Sequence, residues 1–118
     1  MATAVPFDLP TRALEGKVIV ITGASRGLGA GLAERFGELG ASLGLCARHE
    51  PDAPRGAPAL TGAVDVTDAL LLDRFAEAVT RSFGPIDLWV NNAGVLGPVG
   101  PQRGHDPAEA DRAFRINV

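Results

Sequence analysis

The residues with the clearest chemical potential in this sequence are three glycines that follow a short apolar run. Gly23, Gly27 and Gly29 lie within residues 22–29 (TGASRGLG), directly after residues 18–21 (VIVI). Glycines let the backbone turn tightly and approach a ligand, because a Cβ at these positions would collide with one or the other. The first-turn amides of a following helix, together with its dipole, favour an anion. The segment therefore predicts a phosphate cradle, and the alternative is a tight strand-to-helix connection without a ligand.

Further polar residues stand at or near the ends of later apolar segments. They are Arg48, Asp65 and residues 91–94 (NNAG). Because parallel strands bring their carboxyl ends to one edge of a sheet, we expect these residues and the glycine turn to converge on one crevice. Each has a plainer alternative: Arg48 as a solvated surface arginine, Asp65 as a helix cap, and the asparagines as turn formers.

The elements that must position these residues alternate between strand and helix patterns. Apolar segments predict four strands, at residues 17–22, 41–47, 62–66 and 86–90. The helix after the glycine turn ends at Gly40, and a second helix begins after Thr67 or Asp68 and ends at Gly84-Pro85. Their predicted apolar faces are Leu28, Leu32, Phe36 and Leu39 in the first, and Leu72, Phe75, Val79 and Phe83 in the second.

The remaining segments are predicted as an arm, two loops and a third helix. Residues 1–13 form a flexible N-terminal arm. Residues 48–60 contain three prolines, which forbid a continuous helix, and residues 95–107 are rich in glycine and proline. Residues 108–117 are predicted as helix. The alternation predicts an α/β fold over residues 14–118, with a doubly wound parallel sheet of about four strands that is incomplete.

Composition and charge exclude several classes of protein. The chain has 118 residues, 46% of them hydrophobic and 21% charged, which argues against disorder. A formal charge of −3 gives no electrostatic case for nucleic acid or an anionic membrane surface. No apolar run has the length of a membrane span and the start lacks a secretory signal, so we expect a cytoplasmic protein. Cys46 is the single cysteine and the two histidines suggest no ligand set, so no metal site is predicted.

Together these residues resemble the short-chain dehydrogenase/reductase family, over about residues 14–118. The matching segments are residues 22–29, Asp65-Val66, residues 91–94 and Asn117-Val118. The resemblance implies a Rossmann-type domain that moves hydride between a nicotinamide and a small alcohol or carbonyl substrate. It implies that Asn117 is a catalytic residue that helps to order a proton-relay water. The cofactor-binding residues that it implies are Gly23, Ser25, Arg26, Gly27, Leu28, Gly29, Arg48, Asp65, Val66, Asn92, Ala93 and Gly94.

The charges near the predicted ribose site favour NADP over NAD. Enzymes that prefer NAD place an acidic residue near the end of the second strand. Here residues 46–48 are Cys-Ala-Arg, and the first carboxylate is Glu50. A guanidinium can bind the extra phosphate of NADP through bidentate, charge-assisted hydrogen bonds. By the resemblance Arg26 lies on the same side, so Arg26 and Arg48 predict NADP, with NAD as the alternative.

The family's Tyr-x-x-x-Lys pair has no counterpart in this sequence. The chain contains no tyrosine, and its only lysine, Lys17, precedes the first predicted strand. We therefore expect the N-terminal, NADP-binding part of a longer oxidoreductase, truncated before the catalytic Tyr and Lys and without activity of its own. Its fourth strand would be an exposed edge, which predicts marginal stability or aggregation. The alternative is a non-catalytic module that binds a dinucleotide or associates with a relative; a homo-oligomer is left open.

Overall fold

One parallel sheet covered by two helices forms the part of the protein that the structure describes. The computed structural model describes residues 12–92 and the backbone of residues 114–117. The strands are β1 (Val18–Thr22), β2 (Ser42–Ala47), β3 (Ala59–Ala63), β4 (Leu88–Asn91) and β5 (Phe114–Asn117), and the helices are α1 (Gly27–Glu38) and α2 (Ala69–Phe83). All four strand pairings are parallel, which confirms the predicted α/β class and doubly wound sheet.

The strand order β3-β2-β1-β4-β5 reverses direction beside β1. The chain moves outward from β1 through β2 to β3 and then returns past β1 to β4. Right-handed crossovers made in opposite directions place their helices on opposite faces of the sheet. Accordingly, Ile21 of β1 packs in the cluster that contains Ala33 of α1, whereas Val20 packs with Val79 of α2. The reversal leaves a crevice at the carboxyl ends of β1 and β4, which is where ligands bind in such sheets.

The apolar face of α2 is as predicted, whereas that of α1 differs at its first turn. Leu72, Phe75 and Val79 are buried, and Phe83 packs against the same cluster. In α1 the buried positions are Gly29 and Ala33, and the predicted face residues Leu32, Phe36 and Leu39 are partly or fully buried. Leu28, however, is 54% exposed. Its prediction as a core residue is wrong, because the buried residue in the first turn of α1 is Gly29.

Two predicted strands are shifted: the one predicted at 62–66 is Ala59–Ala63, and the one predicted at 86–90 is Leu88–Asn91. β3 begins at Ala59, so the connection after β2 comprises residues 48–58 rather than 48–60. Pro58 has no amide to donate, but its carbonyl accepts a hydrogen bond from Leu43 N (2.9 Å), which starts the pairing with β2. β4 begins at Leu88, because the preceding residue, Asp87, forms hydrogen bonds to Val18 at the start of β1 through both its backbone and its side chain. Its amide donates to Val18 O (2.8 Å), and its carboxylate accepts from Val18 N (2.9 Å).

The end of the chain is a strand where a helix was predicted. Residues 114–117 form β5, which pairs with β4 in the register Leu88↔Phe114 to Asn91↔Asn117. The prediction that the fourth strand is an exposed edge is therefore wrong, since β5 covers it. The predicted N-terminal arm up to residue 11, the loop at 95–107 and the start of the third helix lie outside the described residues. Neither described helix is long and apolar enough to cross a membrane.

Candidate functional site

The turn between β1 and α1 has the backbone geometry of an anion cradle. Gly23 and Gly27 have φ angles of 65° and 63°, a conformation that favours glycine. An added Cβ at Gly27 would meet no atom within 4 Å, so the space around the turn is open there. Arg26 is the extended N-cap of α1, and its side chain makes no capping hydrogen bond. The first-turn amides of α1 are thus without a side-chain cap and can donate to a bound phosphate.

Gly29 and Asn92 join this turn to the end of β4. The Asn92 side chain donates from Nδ2 to Gly23 O (3.2 Å), and its amide donates to Thr22 Oγ1 (3.0 Å). A Cβ on Gly29 would collide with Gly23 O and would lie 2.5 Å from Asn92 Nδ2. Asn92 therefore ties the glycine turn to the end of β4, and its alternative role as a turn former stays a prediction, because the residues after it lie outside the described part of the chain. Thr22, fully buried and absent from the predicted site, could have been identified as the one polar residue at the end of an apolar strand.

Backbone hydrogen bonds hold the ends of β2 and β3 to the same edge. Ala24 N, in the glycine turn, donates to Cys46 O at 3.2 Å. Val64 N, just after β3, donates to Ala47 O at 2.8 Å. Arg48 is the next residue after β2 and is exposed. The predicted convergence of the glycine turn with the ends of β2, β3 and β4 is confirmed.

Asp65 is an exposed carboxyl group in the turn between β3 and α2. Thr67 donates to Asp65 Oδ1 from its backbone amide (3.0 Å) and from its hydroxyl (2.7 Å). These hydrogen bonds, followed in smaller measure by the charge of Arg48, hold the pKa of Asp65 below its ordinary value. Asp65 is not the cap of α2. The N-cap is Asp68, whose side chain accepts a hydrogen bond from Leu71 N at 3.1 Å.

The edge presents positive charge and one exposed apolar side chain. Arg26 and Arg48 are both exposed, and neither forms an ion pair with another described residue. Leu28 is exposed in the first turn of α1, and Ser25 is exposed in the glycine turn before it. An uncapped helix start, two cations and an apolar surface suit a phosphate-bearing ligand that also has an apolar ring.

Some predicted site residues cannot be placed. Ala93, Gly94 and the side chain of Asn117 lie outside the described residues. The backbone of β5 sets Asn117 opposite Asn91, at the same carboxyl edge. Asn91 is 6% exposed, and its Oδ1 accepts a hydrogen bond from Trp89 Nε1 at 3.0 Å. Within residues 12–92, no group of three or more His, Cys, Asp and Glu side chains is arranged to hold a metal ion.

Comparison with known proteins gives a consistent result. Residues 17–118 match a family model described as short chain dehydrogenase. Galactitol 2-dehydrogenase of Agrobacterium fabrum is 37% identical over 110 residues, which are 89% of this chain and 43% of that protein. For 3beta-hydroxysteroid dehydrogenase 1 of Eggerthella lenta the identity is 37% over 91 residues, 70% of this chain and 35% of that protein.

Solved structures agree with the sequence relatives. The 3-ketoacyl-(acyl-carrier-protein) reductase of Brucella melitensis, complexed with NADH, matches with a TM-score of 0.60 and 36% identity. The match covers 84% of this chain and 43% of that one. The chain thus spans less than half the length of these relatives.

Proposed function

The chain belongs to the short-chain dehydrogenase family, and from that premise we propose that residues 14–118 are the NADP(H)-binding part of an oxidoreductase. The reaction is hydride transfer between the nicotinamide and an alcohol or carbonyl carbon of a small substrate. The observation that supports NADP most directly is Arg48, which is exposed, immediately follows β2 and has no ion-pair partner among the described residues.

Each part of the edge has a share in binding the dinucleotide. The turn with Gly23 and Gly27 and the uncapped amides of α1 receive the pyrophosphate, since negative charge is favoured at a helix N-terminus. Asp65 and Val66 contact the adenine. Arg26 and Ser25 lie on the adenosine ribose side, and Leu28 covers the cofactor with its exposed side chain. Asn92, Ala93 and Gly94 form the wall next to β4.

The choice of NADP rests on charge. The extra phosphate of NADP is an anion that a guanidinium binds through two parallel hydrogen bonds. Arg48 already influences the Asp65 carboxylate across the edge, so its charge acts within the proposed adenosine site. A second cation, Arg26, is exposed in the glycine turn. The NADH named for the Brucella reductase is that protein's cofactor. In this chain the residue after β2 is an arginine, so we do not transfer the NADH preference to it.

In this proposal the 118 residues bind the cofactor but do not catalyse the reaction. The family's proton donor is a tyrosine, and these 118 residues contain none. We therefore assign them cofactor binding without turnover of their own, and we assign Asn117 the positioning of a water in the proton relay of the whole protein. The absence of tyrosine equally favours a second candidate function, a dinucleotide-binding module without chemistry. A cytoplasmic location and a homo-oligomer remain predictions.

The test is the equilibrium binding of NADPH and NADH to the chain, followed by energy transfer from Trp89. This tryptophan is the only one, no tyrosine competes with it, and it is 3% exposed. We expect NADPH to bind more tightly than NADH. Arg48→Asp should reverse the preference, since losing one charge-assisted contact costs about 1.5–3 kcal/mol, or roughly 10- to 100-fold in Kd.

Arg55→Asp is the matched control, because Arg55 is also exposed in the connection between β2 and β3 and the charge change is identical. It should leave the ratio of the two dissociation constants unchanged. Equal effects of the two substitutions on that ratio would sink the assignment of Arg48, and binding of neither cofactor would refute the dinucleotide function. In the longer protein, oxidation of NADPH by a carbonyl panel distinguishes the enzyme from the non-catalytic module.

A further inference from the structure

A hydrogen bond joins the connection between β2 and β3 to β3 itself, and it involves neither Arg26 nor Arg48. Thr61 Oγ1 donates to Glu50 Oε2 at 2.6 Å. Thr61 lies on β3 opposite Leu45 of β2, two positions before this strand pair ends at Ala47↔Ala63. At a rise of about 3.3 Å per residue, the Glu50 carboxylate is tied to a position about 7 Å back from the carboxyl edge.

The direction in which the Glu50 carboxylate points should influence the preference between NADP and NAD. It is the first acidic residue after β2 and lies two residues after Arg48. Released from Thr61, it has two partners near the edge: the Arg48 guanidinium and the ribose hydroxyls of a bound dinucleotide. Pairing with Arg48 removes the cation that binds the extra phosphate, and a carboxylate at the ribose repels that phosphate. Both outcomes favour NAD over NADP.

The rest of the connection is held independently of Glu50. Leu43 N donates to Pro58 O at 2.9 Å, and Pro51 is buried. An added Cβ on Gly37 of α1 would lie 2.9 Å from Ala57 Cβ, so the connection packs closely on that helix. Loss of the Thr61 hydroxyl therefore frees the Glu50 side chain while the backbone of the connection stays anchored.

We propose that Thr61 is a specificity-determining residue, which holds Glu50 beside β3 and so keeps Arg48 free for the additional phosphate of NADP(H). This inference rests on the proposed function, because it requires a dinucleotide at the carboxyl edge. Thr61 acts through Glu50 and Arg48, and it touches no reacting atom.

Thr61→Val tests the proposal, because it removes the hydroxyl and keeps a β-branched side chain suited to a strand. We expect the Kd of NADPH to rise by about two- to fivefold, the range for an exposed charge interaction, while the Kd of NADH stays equal or falls. Thr61→Ser keeps the hydroxyl and should preserve the wild-type ratio. Glu50→Gln, introduced into the Thr61→Val chain, should restore that ratio, because the released group then has no charge.

The outcomes separate this inference from the function on which it rests. If the wild-type chain prefers NADPH and Thr61→Val weakens both cofactors equally, Thr61 has only a packing role and the inference fails alone. It also fails alone if Glu50→Gln does not restore the ratio. A wild-type chain that binds neither cofactor, or both equally, overturns the NADP assignment and this inference with it.

Discussion

Replacing Gly29 by alanine is the sharpest test of how the glycine turn is built. Gly29 is buried in the first turn of α1 and does not have a positive φ, so its backbone would accept alanine. Its environment would not. The new Cβ would collide with Gly23 O and would lie 2.5 Å from Asn92 Nδ2. The first is a backbone atom of the turn, and the second is tied to that same atom by a hydrogen bond of 3.2 Å.

The expected cost follows from these contacts. Overpacking a well-packed site costs about 1–3 kcal/mol, and losing the hydrogen bond between Asn92 and Gly23 costs about 0.5–1.5 kcal/mol. The higher helix propensity of alanine returns about 1 kcal/mol. Gly29→Ala should therefore lower the free energy of unfolding by about 0.5–3.5 kcal/mol. Gly31→Ala is the matched control in the same helix. Its Cβ would meet nothing within 4 Å, so it should gain about 0.5–1 kcal/mol.

Urea unfolding followed by the fluorescence of Trp89 measures both variants on one scale. The same samples titrated with NADPH report the second consequence, since moving Gly23 O displaces the turn that would receive the pyrophosphate. We expect Gly29→Ala to be destabilised and Gly31→Ala to be stabilised, with free energies of unfolding that differ by about 1–4.5 kcal/mol, and weaker NADPH binding for Gly29→Ala alone. Equal stabilisation by both substitutions would refute the close contact between α1, the turn and β4.

Two further predictions concern titratable groups. Burial raises the pKa of the Cys46 thiol from 9.0 to about 12, so a thiol reagent at pH 8 should label it only when the chain opens; labelling at the rate of a free thiol would contradict its burial. Because that folded pKa is raised, the associated stability is complete below pH 9 and should be lost between pH 9 and 12. Thr67→Val should raise the lowered pKa of Asp65 toward its ordinary value, whereas Thr67→Ser should not, as followed by carboxyl NMR titration; an unchanged midpoint in the valine variant would contradict the hydrogen bond. The stability linked to Asp65 is present above its ordinary pKa and should decline as the pH falls through its folded pKa.

Much of the site could be predicted because its signals are local. A continuous apolar run followed by glycines specifies a buried strand and a turn, and polar residues after later strands mark the same edge of a parallel sheet. Gly23, Arg48, Asp65 and Asn92 do lie at one edge, as the pattern predicted. Their roles toward a cofactor stay predictions. The apolar face of α2 was equally predictable, since its residues recur at helical spacing over about three turns.

The errors arose where a distant part of the chain decides the outcome. Residues 114–117 have a sequence that local propensity does not commit to one state, and they form a strand because β4, more than twenty residues earlier, offers an unpaired edge. Leu28 fits the helical spacing of a core face, yet the residue of this first turn that packs is Gly29, against Gly23 and Asn92, and Leu28 is exposed. β3 starts three residues before its predicted start, because the carbonyl of Pro58 accepts a hydrogen bond from Leu43 N.

The sequence by itself determined the glycine turn, the alternation of strands and helices, the family and the charge at the end of β2. The tertiary structure decided which atoms lie against Gly29 and where the Glu50 side chain points. Neither feature has a sequence signature, because each depends on an atom brought close by strand pairing: Gly23 O beside Asn92, and Thr61 beside the connection that carries Arg48. Local spacing specifies which groups are present, and pairing in the sheet specifies which of them meet.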